Sequence, residues 1–270
     1  DFTEYSYPAT RHQTMLFFTR TGRCYWLKCY EIPEGDKNFK GRAIQNMLNI
    51  DPDDSVNALL RLRGLNDEEF VKSHYVVFAT KNGTVKKTSL EAYSRPRTNG
   101  VNAINIVEGD EVVDVRLTNG KNEIILANRN GRAVRFDEDS IRTMGRVSTG
   151  VRGMKLDEGD DEVVGMIVVN NAETETVMVV SENGYGKRSQ VEDYRKTNRG
   201  GKGVKTFSIT EKTGRLVAIK NVTDDNDLMI INKSGIAIRL AVSECRVRGR
   251  ATQGVRLMSL SKKNVVIASV

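Results

Sequence analysis

Residues 195–205 combine the residue types that suit the binding of a phosphate backbone. The stretch contains five basic residues, three glycines and no acidic residue. Glycines let backbone N–H groups approach a phosphate closely and supply the positive φ angles of tight turns. Arginine and lysine add charge, and arginine adds forked donors that match phosphate oxygens. The sequence therefore predicts a loop that grips a polyanion, with a solvated glycine-rich turn as the alternative.

The same kind of loop recurs along the chain, as a glycine preceded by basic residues and followed by an alternating strand. The copies are centred on Gly41, Gly100, Gly150, Gly203 and Gly254. The basic residues in or beside these copies are Arg42, Arg97, Arg146, Arg152, Lys205, Arg250 and Arg256. Recurrence favours a shared binding role over an isolated solvated turn.

A second recurring feature is a turn that ends in glycine between two apolar strands. It occurs at Gly22, Gly83, Gly131, Gly184 and Gly235, at spacings of about 50 residues. Asn-Gly between strand-forming residues predicts a two-residue type I′ hairpin. Four residues after the glycine, four of the repeats carry a basic residue that we expect to contact the same polyanion: Lys87, Arg135, Arg188 and Arg239.

Together with an acidic turn before a further strand, these features predict an all-β chain of five complete repeats and one extra terminal strand at 1–7. The repeats are placed at 11–62, 74–117, 122–169, 175–222 and 226–270. One unit of about four strands cannot bury both of its faces, so we expect propeller-like stacking of four-stranded blades. Solenoid stacking is the alternative. No Pro- or Ser-rich linker divides the chain, so a single domain is predicted over 1–270.

Composition favours an acidic partner. The net charge is +7 and the pI is about 9.3, which makes nucleic acid the first candidate. Within each repeat the basic loop and the acidic turn lie on opposite sides of a strand, so equivalent basic loops could follow a DNA backbone. The alternative explanation is that charged edges protect outer strands from pairing with other molecules.

No catalytic, metal or cofactor motif is found. The three cysteines lack C-x-x-C spacing, the two histidines are far apart, and no run of 18 apolar residues is present. These features predict a protein of a reducing cytoplasm without a membrane span or a structural zinc. Residues 184–189 resemble the end of a phosphate-binding loop, but they lead into a strand and not into a helix. The chain begins at Asp1 without Met, so we expect a fragment of a longer protein.

Over its full length the chain resembles the C-terminal domain of the A subunit of bacterial DNA gyrase, and that of its relative topoisomerase IV. The resemblance lies in segments 127–136, 149–153 and 183–188. It implies a β-pinwheel, a propeller variant whose neighbouring blades exchange strands. It also implies a domain that wraps duplex DNA and so supports negative supercoiling.

The family signature, the gyrase A box, is matched in its last five positions by Arg199, Gly200, Gly201, Lys202 and Gly203. Thr197 replaces its Gln and Asn198 its first basic residue. In the family the full box commonly lies in the first blade, and the resemblance implies that this chain starts after that blade's box. Whether a missing segment carries a fuller box, and a sixth blade, is open at this point.

The resemblance also implies which partners the domain has and which functions belong to other parts of the enzyme. The domain is expected to be a non-catalytic, monomeric part of an ATP-dependent type II topoisomerase in the bacterial cytoplasm, associated with the nucleoid. Its expected partners are the ATPase B subunit and the remainder of the A subunit. ATP and Mg are expected to bind on other parts of the holoenzyme, and no cofactor is expected on this chain. Topoisomerase IV and a propeller that docks an acidic protein are the alternatives, and an enzyme with an undetected site is a third.

Overall fold

In the computed structural model of the protein, residues 13–28, 46–232, 235–257 and 265–269 are described, the last range through its backbone. The expected first strand at 1–7 and the basic residue Arg42 lie outside these residues. The described residues form 19 β-strands, one short α-helix and four single 3₁₀ turns.

The strands follow one another in a repeated order of long and very short elements. They are β1 Thr14–Thr19, β2 Arg23–Lys28, β3 Val56–Leu62, β4 Tyr75–Thr80, β5 Thr84–Ser89, β6 Val101–Asn102, β7 Val112–Thr118, β8 Glu123–Asn128, β9 Arg132–Asp137, β10 Val151–Arg152, β11 Val163–Val169, β12 Thr176–Ser181, β13 Tyr185–Gln190, β14 Val204–Lys205, β15 Leu216–Val222, β16 Asp227–Asn232, β17 Ala237–Ala241, β18 Val255–Arg256 and β19 Val265–Ser269. The 3₁₀ turns are Leu90–Tyr93, Glu138–Ser140, Val191–Asp193 and Val242–Glu244. The helix α1, Glu68–Ser73, begins at Asp67, whose side chain accepts a hydrogen bond from the Phe70 amide.

Four sheets have four strands each, in the orders β3-β1-β2-β6, β10-β5-β4-β7, β11-β8-β9-β14 and β15-β12-β13-β18. In each of them three strands come from one repeat, and the two-residue strand at one edge comes from the next repeat. The prediction of an all-β pinwheel with strand exchange is confirmed. The fifth sheet, β17-β16-β19, has three strands among the described residues.

The hairpin loops differ from the two-residue type I′ turn that the Asn-Gly pairs predict. Ala79 lies opposite Val85, and the Gly83 amide donates to the Thr80 carbonyl at 3.0 Å, which gives a three-residue loop. The Thr80 side chain also accepts from the Thr84 amide. A three-residue loop with a left-handed glycine at its end continues the twist of both strands equally well.

The glycine that precedes each exchanged strand is required by close backbone packing. Gly203 has a φ of +79°, and a Cβ on it would overlap the carbonyl of Ala133 in the preceding sheet. The backbone can therefore reach β9 at this point only without a side chain. Gly150 lies against the Val85 carbonyl in the same way.

The described residues form two compact units. One contains Lys121–Ser140 and the residues from Arg152 onward, and the other contains the residues up to Gly120 together with Ile141–Val151. In the second unit, Phe18 and Phe78 pack edge to face at 5.3 Å, and Tyr93 lies beside them. In the first unit, Tyr194 and Phe207 are buried in a cluster with Val179.

Candidate nucleic-acid interface

The loops before β10, β14 and β18 each carry an arginine that donates hydrogen bonds to backbone carbonyls. Arg199 donates from Nη1 to the Arg152 carbonyl at 2.7 Å and from Nε to the Ser140 carbonyl at 3.3 Å. Its Nη2 has no hydrogen-bond partner among the described residues. The guanidinium is therefore fixed by two carbonyls while one of its nitrogens remains available to a ligand.

Two further arginines repeat this arrangement, and we call Arg146, Arg199 and Arg250 the loop arginines. Arg146 donates from Nη1 to the Asn102 carbonyl at 3.1 Å. Arg250 donates from Nε to the Asp193 carbonyl at 3.0 Å and from Nη1 to the Lys205 carbonyl. In all three cases the Nη1 acceptor is the second residue of the preceding exchanged strand, so the loop arginines tie each loop to the strand before it.

The exchanged strands themselves present exposed basic side chains. Arg152, Lys205 and Arg256 occupy the second position of β10, β14 and β18, and all three are exposed. Lys205 pairs across the sheet with Arg132, which is also exposed and donates to the Gly203 carbonyl at 3.0 Å. The sheets that contain β10, β14 and β18 thus carry a cation at this edge and an arginine in the loop before it, whereas β6 has Asn102 at the second position. We call the exchanged strand and the loop before it the basic edge of the sheet.

The glycines of the box-like loop have different surroundings. Around Gly201 there is no atom within 4 Å of where a Cβ would lie, so its backbone is open to a ligand. The Gly200 amide donates to the Gly153 carbonyl at 2.9 Å, and the Gly201 carbonyl accepts from the Lys155 amide at 2.9 Å. Lys202 beside them is exposed. The loop is hydrogen-bonded on its inner side and open at Gly201 and Lys202.

Arg135 and Arg188, which the sequence placed among the DNA-binding residues, are buried and have structural partners. Arg135 is 7% exposed and Arg188 is 3% exposed. Arg135 donates from Nη1 to the carbonyls of Val191 and Tyr194 at 3.2 and 2.9 Å. It also donates from Nε to Glu123 Oε2 at 2.6 Å, and this hydrogen bond is the main reason why the pKa of Glu123 is lowered.

Arg188 makes the equivalent contacts one repeat later. Its Nη1 donates to the carbonyls of Val242 and Cys245, both at 3.1 Å, and its Nη2 lies 2.9 Å from Asp224. Both arginines therefore fasten the 3₁₀ turn of the following repeat.

Lys87 occupies the same repeat position and is also buried, with its Nζ 4.4 Å from the centre of the Tyr75 ring. Buried side chains of this kind cannot contact a phosphate without leaving their sites, so Lys87, Arg135 and Arg188 lie outside the exposed basic surface. Arg239, the fourth member of the series, is exposed and paired with Asp227 at 2.7 Å. Arg97 is exposed as well, whereas Arg42 lies outside the described residues.

The structure also shows a set of three exposed arginines, of which only Arg195 lies in a stretch that the sequence predicted to bind a polyanion. Arg142, Arg195 and Arg246 are exposed, and none has a hydrogen-bond or ion-pair partner among the described residues. Each follows the 3₁₀ turn of its repeat and lies 11 residues after the turn glycine. We call them the turn arginines. Counting from that glycine in every repeat would have found them, since their spacing is constant.

The acidic turns lie at the sheet edge opposite the basic edge. Asp161 accepts from the Asn130 amide at 3.3 Å and from the Asn128 side chain at 2.9 Å, so it closes the hairpin turn beside β11. β11 and β14 are the two outer strands of their sheet, about 14 Å apart. Acidic groups therefore stabilise the hairpin turns at a distance from the exposed cations.

The described residues contain no group of three or more His, Cys, Asp or Glu side chains that could hold a metal ion. In the same part of the chain, no helix is both long and apolar enough to cross a membrane.

Repeated sheets that exchange a short strand, each with exposed cations at that edge, define a propeller-type repeat protein with a surface suited to a polyanion. The chain belongs to the DNA gyrase C-terminal domain family, described as a beta-propeller, whose model matches residues 13–63, 74–119, 122–170, 175–223 and 226–270.

Relatives and solved structures agree with this family. The chain is 44% identical to the A subunit of DNA gyrase from Staphylococcus epidermidis (strain ATCC 12228 / FDA PCI 1200) over 96% of its own length and 29% of that protein. It thus spans about three tenths of this curated relative. A crystal structure of the C-terminal domain of DNA topoisomerase IV matches with a TM-score of 0.83 and 27% identity, over 96% of this chain and 80% of that one. A DNA gyrase A C-terminal domain matches in fold, with a TM-score of 0.81 and 23% identity, over 96% and 83%.

Proposed function

We propose that the chain binds, bends and wraps duplex DNA without reading its sequence, as a non-catalytic domain of the A subunit of a gyrase-type topoisomerase. The observation that carries the proposal is the constant position of solvent-accessible cations in successive repeats. The exchanged-strand cations and the turn arginines are exposed, the loop arginines are half-buried, and each set recurs at one repeat position. A curved path along phosphates needs such regular spacing, whereas recognition of bases needs an element that enters a groove.

The site chemistry supports backbone contacts in particular. Arginine forks and an open glycine backbone at Gly201 are both suited to phosphate oxygens. The basic edges offer no helix of a length that could lie in a major groove, since α1, Glu68–Ser73, is the longest helix among the described residues. Sequence-independent binding follows from this set of contacts.

The larger assembly belongs to the same proposal. Negative supercoiling would require the ATPase B subunit together with the remainder of the A subunit, with ATP and Mg bound outside this chain. We favour gyrase over topoisomerase IV because the curated relatives at 43–44% identity are A subunits of gyrase. A supercoiling assay of the intact enzyme, with and without this domain, separates the two.

Gel shifts on several unrelated duplexes at one salt concentration test the binding proposal. We expect similar dissociation constants for all of them. Replacing the turn arginines Arg142, Arg195 and Arg246 by Gln should weaken binding to every duplex equally and reduce the salt slope by about three. A strong preference for one duplex contradicts the proposal. Binding to an acidic protein with no binding to DNA would favour the protein-docking alternative.

A further inference from the structure

Two lysines are buried directly beneath two of the basic loops. Lys86 and Lys187 each lie three residues after the turn glycine of their repeat, and both are 0% exposed. We propose that Lys86 and Lys187 are positioning residues, which hold the loops of Arg146 and Arg250 in the geometry that a bent duplex requires. This inference rests on the proposed DNA-binding function.

Lys86 holds the loop of the following repeat through two carbonyl oxygens. Its Nζ lies 2.5 Å from the Ala103 carbonyl and 2.9 Å from the carbonyl of Arg146. It also lies 5.1 Å from the centre of the Phe78 ring. One of the two acceptors is the backbone of a loop arginine itself, so the position of Arg146 depends directly on this lysine.

Lys187 repeats the arrangement in the other compact unit. Its Nζ donates to the Gly249 carbonyl at 2.9 Å and also to the carbonyl of Arg250. The ring of Phe207 lies 5.9 Å away. In two separate repeats, the lysine at this position thus donates hydrogen bonds to the carbonyl of the loop arginine.

The number of donors agrees with a neutral amine at each site. A neutral lysine has two N–H groups, and each lysine here has two carbonyl acceptors. Burial, and secondarily the charge of Arg146, lowers the pKa of Lys86 to about 7. Burial, and secondarily the charge of Arg250, lowers the pKa of Lys187 to about 7.

The other titratable groups around these lysines have smaller or indirect effects. Asp193 raises and Lys205 lowers the pKa of Lys187. Tyr93 shares the Ala103 carbonyl with Lys86 at 2.8 Å, and burial raises its pKa, as it does that of the neighbouring Cys24 thiol. Burial raises the pKa of Tyr194 to about 12, while the nearby charge of Arg250 lowers this pKa slightly and that of Asp193 raises it slightly. The tyrosines and the thiol stay protonated at neutral pH, so the lysines are the groups that titrate there.

The direction of the pH effect follows from linkage. An opened loop returns the lysine to water, where its pKa is about 10.4. The open loop therefore binds more protons than the seated loop, and protonation favours opening. The contact between each lysine and its loop should therefore strengthen as the pH rises from about 7, the pKa of both buried lysines, toward about 10.4, the pKa in water.

The box-like loop provides an internal control, because Val134 takes the place of the lysine beneath it. Equivalent backbone amides report on the three loops. The Asn105 amide donates to Ser148 at 2.9 Å and the Ser208 amide to Thr252 at 3.1 Å, both in loops seated on a lysine. The Lys155 amide donates to Gly201 at 2.9 Å, in the loop without one.

Hydrogen exchange of the whole chain, corrected for intrinsic rates, tests the seating at about pH 6 and about pH 8.5. Protection of Asn105 and Ser208 should rise about thirtyfold from the lower to the higher pH, while that of Lys155 stays constant. In Lys86→Met and Lys187→Met, protection at the respective amide should fall about tenfold and lose its pH dependence. Lys72→Met, which removes an exposed lysine of α1, is the charge-matched control. If the protection of the Asn105 and Ser208 amides in the wild-type protein does not change with pH, the proposal is overturned. This result does not depend on whether a variant folds.

Duplex bending by the double variant separates this inference from the proposed function. Lys86→Met/Lys187→Met should reduce the bent fraction of a long duplex about tenfold and change the affinity for a short straight duplex only about twofold. Wild-type protein that does not bind duplex at all contradicts the proposed function. Wild-type bending that persists unchanged in the double variant contradicts the positioning role.

Discussion

Buried guanidinium groups stabilise the contact between successive repeats. Arg135→Leu would leave the Glu123 carboxylate and two backbone carbonyls without their donor. We expect a loss of about 3 kcal/mol in the free energy of unfolding. Arg239→Leu at the same repeat position should cost less than about 1 kcal/mol, because its ion pair is exposed. Urea denaturation measures both, and equal losses would contradict a buried structural role.

The Arg135–Glu123 pair also predicts a pH dependence with a definite sign. The hydrogen bond from Arg135 lowers the pKa of Glu123, below the unfolded value of about 4.3. Its contribution is therefore fully present above that unfolded value and is lost as the pH falls through the folded pKa. Glu123→Gln should reduce the stability at pH 7, and this reduction should shrink as the pH falls below about 4.3, as measured by thermal unfolding across pH. A reduction that stays constant as the pH falls would show that the pair does not titrate as described.

At the scale of the loop, two glycines close together in sequence should respond in opposite ways. Gly203→Ala forces a side chain into the Ala133 carbonyl at positive φ, and we expect a loss of about 1–3 kcal/mol in the free energy of unfolding. Gly201→Val enters open space and should leave the unfolding free energy within about 0.5 kcal/mol. It should nevertheless reduce DNA bending, because the backbone can no longer approach a phosphate. If the Gly201→Val variant bends DNA normally, the phosphate contact does not lie at Gly201.

Arg199 and Lys202 should influence bending more than binding. Smooth bending of 20–30 bp through 40–90° costs about 1–6 kcal/mol, which contacts made only along the bent path must offset. Arg199→Ala/Lys202→Ala removes two such contacts and also the bond from Arg199 to Arg152. The other basic edges still hold a straight duplex. We expect a larger change in the end-to-end distance of a labelled duplex than in its dissociation constant, and normal bending would place the decisive box outside this repeat.

The sequence predicted those elements that recur with a fixed spacing. Turn glycines, apolar strands and basic loops could be located by period alone, and the fold class followed from their number. The exchanged strands, such as Val204–Lys205, could not be assigned to a sheet because two residues have no detectable period. Their identity as the edge of the preceding sheet comes from long-range pairing, as between Val204 and Ala133.

The candidate site was predicted less completely, for a physical reason. The sequence cannot distinguish an arginine that binds backbone carbonyls from one that binds phosphate, because both uses need the same forked donors. Arg135 and Arg188 thus looked like Arg239 until their partners, more than 50 residues away in sequence, were known. The buried lysines Lys86 and Lys187 were missed because their pattern is visible only when the loop that covers them is in place.

For the whole molecule, the number of exposed cations predicts a steep dependence on salt. A duplex that meets 6–10 phosphate-binding residues should lose about three to five decades of affinity between about 50 and 200 mM salt. Affinity should also rise with duplex length, since a short duplex reaches the basic edges of only one or two repeats. Dissociation constants from titrations at several salt concentrations measure both effects. A flat salt response, or equal affinity at all lengths, favours docking of an acidic protein.

DNA bending by the isolated chain is the most direct test of the central claim. A duplex of about 100 bp is shorter than the persistence length of about 150 bp and stays nearly straight when free. Energy transfer between dyes at its two ends reports the end-to-end distance at saturating protein. The proposed wrapping predicts that the ends approach one another on binding, and that they separate again with the turn-arginine variant Arg142→Gln/Arg195→Gln/Arg246→Gln. A bound duplex whose end-to-end distance equals that of the free duplex would contradict the claim.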